Sequence, residues 1–263
     1  MPILIAAVAV LGLAVGSFLN VVIHRVPRGE SIVHPGSHCP GCGSAVRARH
    51  NVPVLGWIVL RGRCADCSAH ISIRYPLVEL GTAALFVAVA MRLGELGLLE
   101  ALPAYLFFTS VGIALTAIDL DVMRLPNAIV YPAYAAMAVL LTGASMLDGS
   151  VEPLVRAAIG TTVMFGGYLA LVLAYPAGMG LGDVKLAGVV GGALGFLSYP
   201  VLIVGAFAAF VIAGGGALLL VLVHRASGKT AVPFGPFMVV GALVAIFAGT
   251  GLSNAYLNLA QLS

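Results

Sequence analysis

Residues 101–127 read ALPAYLFFTSVGIALTAIDLDVMRLPN, an apolar run of membrane-spanning length that ends abruptly in two acids. A helix needs about 20 apolar residues to cross about 30 Å of hydrocarbon. The whole chain has the same character, since 61% of its 263 residues are apolar, only 9% are charged and the mean hydropathy is +1.10. Soluble globular proteins carry about 25% charged residues. The sequence therefore predicts a polytopic membrane protein and excludes the soluble and disordered classes.

The apolar segments predict an all-α fold with about eight transmembrane helices. No lysine or arginine precedes the first segment, so we expect it to remain as an anchor rather than to be removed as a signal peptide. The sixth and seventh segments are separated only by Ser198, Tyr199 and Pro200. The spans are expected near residues 3–23, 76–94, 101–120, 126–147, 154–175, 183–199, 200–222 and 233–258.

The lysines and arginines indicate how the chain is oriented. Cytoplasmic loops retain an excess of these residues, and segment 24–75 holds seven of the 13 in the chain. Threading the spans alternately brings 11 of the 13 to one face, which we expect to be cytoplasmic. A net charge of only +3 provides no basic field for nucleic acid, so the expected surrounding is the lipid bilayer and no nucleic-acid partner is expected. The cations that join the segment on its face are Arg124, Lys185, Arg225 and Lys229.

Segment 24–75 is the one polar interruption, and it contains all four cysteines. They form two pairs, Cys39-Pro-Gly-Cys42 and Cys64-Ala-Asp-Cys67. A two-residue spacer lets both thiolates of a pair bind one metal ion, and two pairs complete a tetrahedral site. The predicted division of the chain is a first transmembrane helix at 1–23, a cytoplasmic zinc-binding insert at 24–75 and a membrane core at 76–263.

A structural zinc ion is the favoured interpretation of these cysteines, with two disulfides or four free thiols as the alternatives. A reducing cytoplasm disfavours disulfides. About 50 residues with few large apolar side chains build little core, so a metal would hold the insert together. Four thiolates leave no open position for water, so no catalysis is expected at the ion. The histidines of the insert are expected to be solvated or to lie behind the ligands: His24, His34, His38, His50 and His70.

Acids at the ends of the spans form a second candidate site, because charges in a membrane are costly and mark function. Asp119 ends the apolar run 104–118, and Asp183 lies in GLGDVK at 180–185. We expect both at the same membrane face. Taken singly, Asp183 could be a helix N-cap and Asp119 an interfacial charge beside Arg124. Taken together, they indicate two carboxylates that share one proton and activate water, as in aspartic proteases.

Further motifs accompany the cysteine pairs and the aspartates. They are GSFLNVVIHRVP at 16–27, NVP at 51–53, RGRC at 61–64, RYPLVE at 74–79, LPN at 125–127 and GLGDVK at 180–185. In this order and spacing, over nearly the whole length, the chain resembles the type IV prepilin peptidases. These are membrane aspartic proteases that process prepilins and type II secretion pseudopilins.

The resemblance implies a bacterial inner-membrane endopeptidase. Members of the family remove a short basic leader from prepilins at the cytoplasmic membrane face, typically between a glycine and a phenylalanine. Members that carry the four-cysteine insert usually also N-methylate the new terminal residue with S-adenosylmethionine. The chain is therefore expected to have both activities and to act on prepilins or pseudopilins.

The family's catalytic aspartates map onto Asp119 and Asp183. Asp121 is set aside, because the spacing to Pro126 favours Asp119. Residues that support the motif around the second aspartate are Gly180, Gly182 and Lys185.

Three polar residues each have two possible roles, one functional and one structural. Glu79 either belongs to a polar surface for methyl transfer or is a buried acid satisfied by a neighbouring helix. Asn20 and His24 either help to position substrate or make interfacial hydrogen bonds. No Gly-x-Gly-x-x-Gly motif follows a strand, so a Rossmann-type cofactor site is not expected.

Two other classes of function are alternatives to a peptidase. A small ion-coupled transporter would place its acids near mid-membrane, between paired repeats of broken helices. Here both acids lie at the ends of spans, and no internal repeat is evident. A non-catalytic membrane adaptor built on a zinc ribbon would leave Asp119 and Asp183 unexplained.

Overall fold

A computed structural model describes residues 1–176, 179–222 and 233–259, so Arg225 and Lys229 lie outside the described residues. Regular structure within these ranges is helical, which confirms the predicted all-α fold. The α-helices are α1 (Pro2–Arg25), α2 (Leu55–Val59), α3 (Arg74–Leu96), α4 (Leu102–Val122), α5 (Asn127–Asp148), α6 (Glu152–Ala174), α7 (Leu181–Leu197), α8 (Tyr199–Leu222) and α9 (Gly235–Leu259). Short 3₁₀ turns lie at Val26–Arg28, Ala48–His50 and Leu99–Ala101.

The eight long helices correspond to the eight predicted spans. Seven of them are long and apolar enough to cross a membrane. Their outer faces carry large apolar side chains that are open to the surroundings, such as Ile3 with 86% of its surface exposed and Phe207 with 69%. Lipid is the environment in which such faces are stable.

Helix α7 is the one long helix among the described residues that does not belong to this group of seven. It has 17 residues, of which 13 are buried, and at 1.5 Å per residue it is about 25 Å long. Ser198 has an extended backbone and separates α7 from α8, within the short break that the sequence indicates. Because α7 is buried along most of its length, the carboxylate in its first turn, that of Asp183, is also buried.

The chain divides into two compact units, Met1–Gly97 and Leu98–Ser263. In the first unit, α1 packs against α3 through small residues. A Cβ placed on Gly12 would lie 2.6 Å from a backbone Cα of α3, and one on Gly16 would lie 2.7 Å from the Cα of Glu79. Only glycine allows so close an approach. Farther along the same antiparallel register, the side-chain amide of Asn20 donates to the carbonyl of Tyr75 at 3.2 Å.

In the second unit, α7 lies among α4, α5, α6, α8 and α9. The buried hydroxyl of Tyr105, on α4, donates to the carbonyl of Ala193, on α7, at 2.5 Å. Glycines bring α6 and α7 into backbone contact, since a Cβ placed on Gly195 would lie 2.5 Å from the carbonyl oxygen of Arg156. The glycine contacts between α6 and α7 fix the height of α7 relative to α6, and therefore the position of the acid in its first turn.

Candidate metal centre and candidate active site

The four cysteines come together in the insert of the first unit. All four Sγ atoms lie within 4.8 Å of one another, and the Sγ atoms of Cys39 and Cys67, one from each pair, are 3.7 Å apart. Sulfurs at tetrahedral positions around zinc lie about 3.8 Å apart, given Zn–S bonds of about 2.3 Å. None of the four cysteines forms a disulfide. The cluster fits a metal ion held by four thiolates.

Each cysteine pair lies in the same kind of backbone turn. The N–H of the first cysteine donates to the carbonyl five residues later, and the N–H four residues later donates back to the carbonyl of that cysteine. These bonds measure 2.9 and 2.8 Å around Cys39, and 2.8 and 3.0 Å around Cys64. In both turns the fourth residue after the first cysteine has a left-handed backbone, with φ of +72° at Gly43 and +60° at Ser68. The two turns, called knuckles below, are structural repeats of each other.

The thiols influence one another's protonation. Hydrogen bonds with Ser44 lower the pKa of Cys42 to about 6. At Cys67 the backbone N–H of Ala69 also acts to lower the pKa, but hydrogen bonding with Cys42 and desolvation together raise it to about 12. Neighbouring thiols hydrogen-bond with one another, so the ionisation of one thiol affects the pKa of the others. A bound cation displaces the protons and binds all four sulfurs as thiolates.

Two buried side chains tie the insert to the helices on either side of it. At its start, the guanidinium of Arg25 donates to the carbonyls of Ser31 at 2.9 Å and of Gly36 at 3.3 Å. Just beyond its end, the carboxylate of Glu79, on α3, accepts the backbone N–H of Val54 at 2.6 Å. Glu79 is therefore a buried acid, but its partner is the backbone of the insert rather than a neighbouring helix. The contacts of Arg25 were not predicted.

The backbone at Val54 is strained. Its φ is +61°, and the N–H of Leu55 donates to the carbonyl of Pro53 at 2.6 Å, which closes a γ-turn. A γ-turn with positive φ is rare, and a β-branched residue seldom adopts it. The turn gives the N–H of Val54 its bond to Glu79, so the strained residue and the buried acid form one feature.

Three further polar residues of this unit were candidates in the sequence: Asn20, His24 and His38. Asn20 makes the interfacial hydrogen bond described above, and His24 is exposed. The ring of His38 pairs with the carbonyl of Gly36 at 3.0 Å. Among the described residues, the metal-ligating cluster contains the four cysteines and no histidine.

Asp183 is the third residue of α7 and is buried, with 9% of its surface exposed. Its Oδ2 accepts the backbone N–H of Gly180 at 3.0 Å, and its own N–H donates to the carbonyl of Gly180 at 3.1 Å. Asp183 is thus not the N-cap that the sequence left as an alternative, since Gly180 occupies that position. Gly182 permits close packing at this point, because a Cβ there would lie 3.1 Å from the Cβ of Leu125.

Lys185 connects the start of α7 to the start of α5. Its Nζ donates to the side-chain oxygen of Asn127 at 3.0 Å and lies 5.0 Å from the centre of the Tyr131 ring. Its carbonyl accepts the hydroxyl of Tyr134 at 2.6 Å. Lys185 therefore helps to hold the segment that carries the second aspartate.

Asp119 lies in the last turn of α4 and is also buried, with 5% of its surface exposed. Its Oδ2 accepts the backbone N–H of Gly235, the first residue of α9, at 3.2 Å. Gly235 has no room for a side chain, because a Cβ there would lie 2.7 Å from this Oδ2. Asp121, the other acid of the doublet, is exposed. Burial therefore distinguishes the two acids.

The second unit brings Asp119 and Asp183 to one place. The side chain of Leu125 packs against Gly182, and its Cδ2 would lie 3.4 Å from a Cβ on Gly235, so a single side chain reaches the neighbours of both acids. Leu125 and Gly235 were not predicted as parts of this site, although the sequence Pro-Phe-Gly-Pro at 233–236 marks a special backbone before the last span.

Comparisons with known proteins agree with this arrangement of two units. Residues 10–93 match the Bacterial Peptidase A24 N-terminal domain, and residues 106–218 match the Type IV leader peptidase family. No solved structure matches the chain.

Similar proteins cover the chain almost from end to end. The prepilin leader peptidase/N-methyltransferase of Aeromonas salmonicida (strain A449) is 36% identical over 94% of this chain and 91% of its own length. The protein of the same name from Neisseria gonorrhoeae is 34% identical over 97% and 94%. A type 4 prepilin-like proteins leader peptide-processing enzyme of Escherichia coli O78:H11 is 35% identical over 90% and 91%. The chain belongs to the type IV prepilin leader peptidase/N-methyltransferase family.

Proposed function

We propose that this protein is an aspartic endopeptidase of the bacterial inner membrane that removes the leader from type IV prepilins or type II secretion pseudopilins. The observation that carries the proposal is that two buried aspartates, Asp119 of α4 and Asp183 of α7, have backbone neighbours that pack against one side chain, that of Leu125. Each uses its Oδ2 to accept one backbone N–H. The names of the relatives support the substrate class.

Hydrolysis by such a pair uses one ionised and one protonated carboxyl group. The ionised carboxylate accepts a proton from a water molecule as the water oxygen attacks the carbonyl carbon of the peptide bond. The protonated carboxyl donates its proton to the carbonyl oxygen, which gives a tetrahedral intermediate. The C–N bond then breaks as the leaving amine takes a proton from one carboxyl group, and a hydroxyl of the intermediate returns its proton to the other carboxylate as the C=O bond reforms, which leaves the pair with one proton again. Throughout, the N–H groups of Gly180 and Gly235 keep the carboxylates in position.

We propose that the four cysteines hold a structural zinc ion. Cys39, Cys42, Cys64 and Cys67 would saturate a tetrahedral ion, whose contribution is to cross-link the two knuckles. Zinc suits an all-thiolate tetrahedral site. The insert has no large apolar core, so the cross-link would supply much of its stability.

A second activity is proposed at the product. The new amino terminus would be N-methylated with S-adenosylmethionine, which supplies the methyl group. The names of the relatives and the four-cysteine insert support this activity. We assign no residues to the methyl-donor site.

The insert is placed on the cytoplasmic side on the basis of its seven arginines. Cleavage at the cytoplasmic face suits a substrate whose basic leader precedes an apolar helix. The apolar part of such a substrate can remain in the bilayer while the peptide bond at its end reaches the aspartates.

Leader removal by the purified full-length protein in detergent, followed by mass spectrometry of a prepilin, tests the proposed function. We expect Asp119→Asn and Asp183→Asn each to lower the cleavage rate by about 100- to 10,000-fold, since each removes a group that transfers a proton. The matched control is Asp121→Asn, which changes the exposed acid of the same turn and should cleave at the wild-type rate.

Two results would overturn parts of this proposal. Leader removal by both aspartate variants at the wild-type rate would exclude the aspartic mechanism. Parallel reactions with S-adenosylmethionine should add a single methyl group to the mature product, and cleavage without methylation would exclude the second activity.

A further inference from the structure

Tyr168 carries a buried hydroxyl for which the mechanism above has no use. The residue is 3% exposed and lies on the face of α6 that is turned inward. Its hydroxyl has no hydrogen-bond partner among the described residues. Buried hydroxyl groups are nearly always hydrogen-bonded, so an exception calls for a specific explanation.

The packing of α6 on α7 places Tyr168 opposite the second aspartate. Gly160 lies against Gly191, and the carbonyl of Arg156 lies against Gly195, so each step of four residues along α6 is matched by a step of four back along α7. Continuing this antiparallel register for two turns brings Tyr168 level with Asp183.

The ring of Tyr168 is also tied to the segment that positions the first aspartate. Its centre lies 5.4 Å from that of Phe210 and 6.0 Å from that of Phe234. Phe234 immediately precedes Gly235, whose N–H is bonded to Asp119. The phenol ring is therefore held by aromatic packing beside the segment that positions Asp119.

By this register the ring of Tyr168 is level with Asp183, yet its hydroxyl is not hydrogen-bonded to that carboxylate or to any other described group. A buried donor that no described group of the chain accepts can bond to an atom of the substrate. A tyrosine hydroxyl is a donor. Donation to the attacking water would make that water a poorer nucleophile, whereas donation to the carbonyl oxygen of the substrate favours the charge that develops there.

We propose that the hydroxyl of Tyr168 donates a hydrogen bond to the carbonyl oxygen of the peptide bond that is cut, and that it is a third catalytic residue. The inference rests on the proposed peptidase function. As the water oxygen bonds to the carbonyl carbon, electron density moves onto the carbonyl oxygen. Tyr168 stabilises that density while the acidic carboxyl supplies the proton, and the phenol keeps its own proton.

The test is Tyr168→Phe in the full-length protein, with kcat and KM for prepilin cleavage measured separately. We expect kcat to fall about 100-fold, the typical effect of removing one donor to a developing oxyanion. KM should stay within about twofold, because the bond strengthens in the transition state rather than in the bound substrate. The melting temperature should not fall, since the hydroxyl has no partner to lose.

Tyr105→Phe is the matched control. Its hydroxyl is bonded to Ala193 and lies in the same unit. Its removal should lower the melting temperature and leave kcat within about twofold. The opposite pattern in the two variants would separate catalysis from packing.

A wild-type kcat in Tyr168→Phe overturns the inference. Failure of the proposed function is distinguishable, because it would appear as leader removal by Asp119→Asn and Asp183→Asn. If Tyr168→Phe does not accumulate, fluorinated tyrosines at position 168 keep the ring packing and change mainly the acidity of the hydroxyl. A kcat that changes with the acidity of the hydroxyl supports the proposal. A kcat that is the same for all the fluorinated tyrosines overturns the proposal.

Discussion

The cysteine cluster and the aspartate pair are built in contrasting ways. The cysteines lie within one short segment, and each knuckle is closed by hydrogen bonds between residues four or five positions apart. The aspartates come from two helices, and the bond that orients Asp119 comes from a residue 116 positions away in the chain. The first site is a local structure that a metal can complete, whereas the second exists only once the helices have packed.

This difference determines how each site can fail. A local site loses its function when a ligand is removed, and small changes elsewhere leave it intact. A site assembled from several helices depends on backbone positions that carry no functional group, so a single added methyl group can damage it. Three comparisons test this distinction.

The largest effect is expected in the cysteine cluster. Cys64→Ser should reduce bound zinc from about one ion per chain to a negligible amount at micromolar free metal, because three thiolates and a hydroxyl bind the ion far more weakly. Zinc content after gel filtration measures this directly.

His38→Ala is the control for that experiment, since His38 precedes Cys39 in the chain but lies outside the cluster. It should retain its zinc. Full zinc content in Cys64→Ser would exclude a site of four cysteines.

An intermediate effect is expected from Gly235→Ala. The new methyl group would lie 2.7 Å from Oδ2 of Asp119, so the carboxylate must move and its bond to the backbone N–H must lengthen. If Asp119 has the proposed catalytic role, this displacement should lower kcat by about 100-fold. Zinc content should not change, which would show that the two sites respond independently.

Gly251→Ala, on the same helix α9, is the matched control, because no atom lies within 4 Å of the position its methyl group would occupy. It should cleave prepilin at the wild-type rate. Wild-type cleavage by Gly235→Ala as well would remove Gly235 from the site.

The smallest effect is expected from substitutions that compare the two knuckles. Ser68 holds the left-handed conformation that Gly43 holds in the other knuckle, and such a conformation costs a residue with a Cβ about 1 kcal/mol. Ser68→Gly should therefore raise the free energy of unfolding of the zinc-bound insert by up to about 1 kcal/mol, and Gly43→Ala should lower it by a similar amount.

Protease resistance of the insert as a function of urea concentration measures this effect. Gly36→Ala is the reference for the gain of about 0.4–1 kcal/mol that alanine brings through the unfolded chain, since Gly36 has neither a positive φ nor an atom near its Cβ position. Equal stability of Ser68→Gly and the wild type would mean that the two knuckles are not equivalent in energy.

How far each site could be predicted follows from the same contrast. The cysteine cluster is readable from its spacing, because the ligands and the turns that present them are neighbours in sequence. The two aspartates stand out because each interrupts an apolar run. Gly235, Leu125 and Tyr168 could not be predicted as their partners, since nothing near these residues in the sequence indicates which helices pack together.

The helical spans were predicted well for a physical reason. Backbone groups in lipid must satisfy one another, so a long apolar segment has few alternatives to a helix. The γ-turn at Val54 and its bond to Glu79 were not predictable, because a valine gives no indication of a positive φ.

The contacts of Arg25 and Glu79 also define where the insert can be exchanged. Both side chains lie at the ends of flanking helices, yet each is bonded to the backbone of the insert. A chimera that transferred only residues 39–67 would carry the metal ligands without the attachments that orient them. Residues 25–79 are the smallest segment that transfers both, and that segment is the natural unit for moving this insert between relatives.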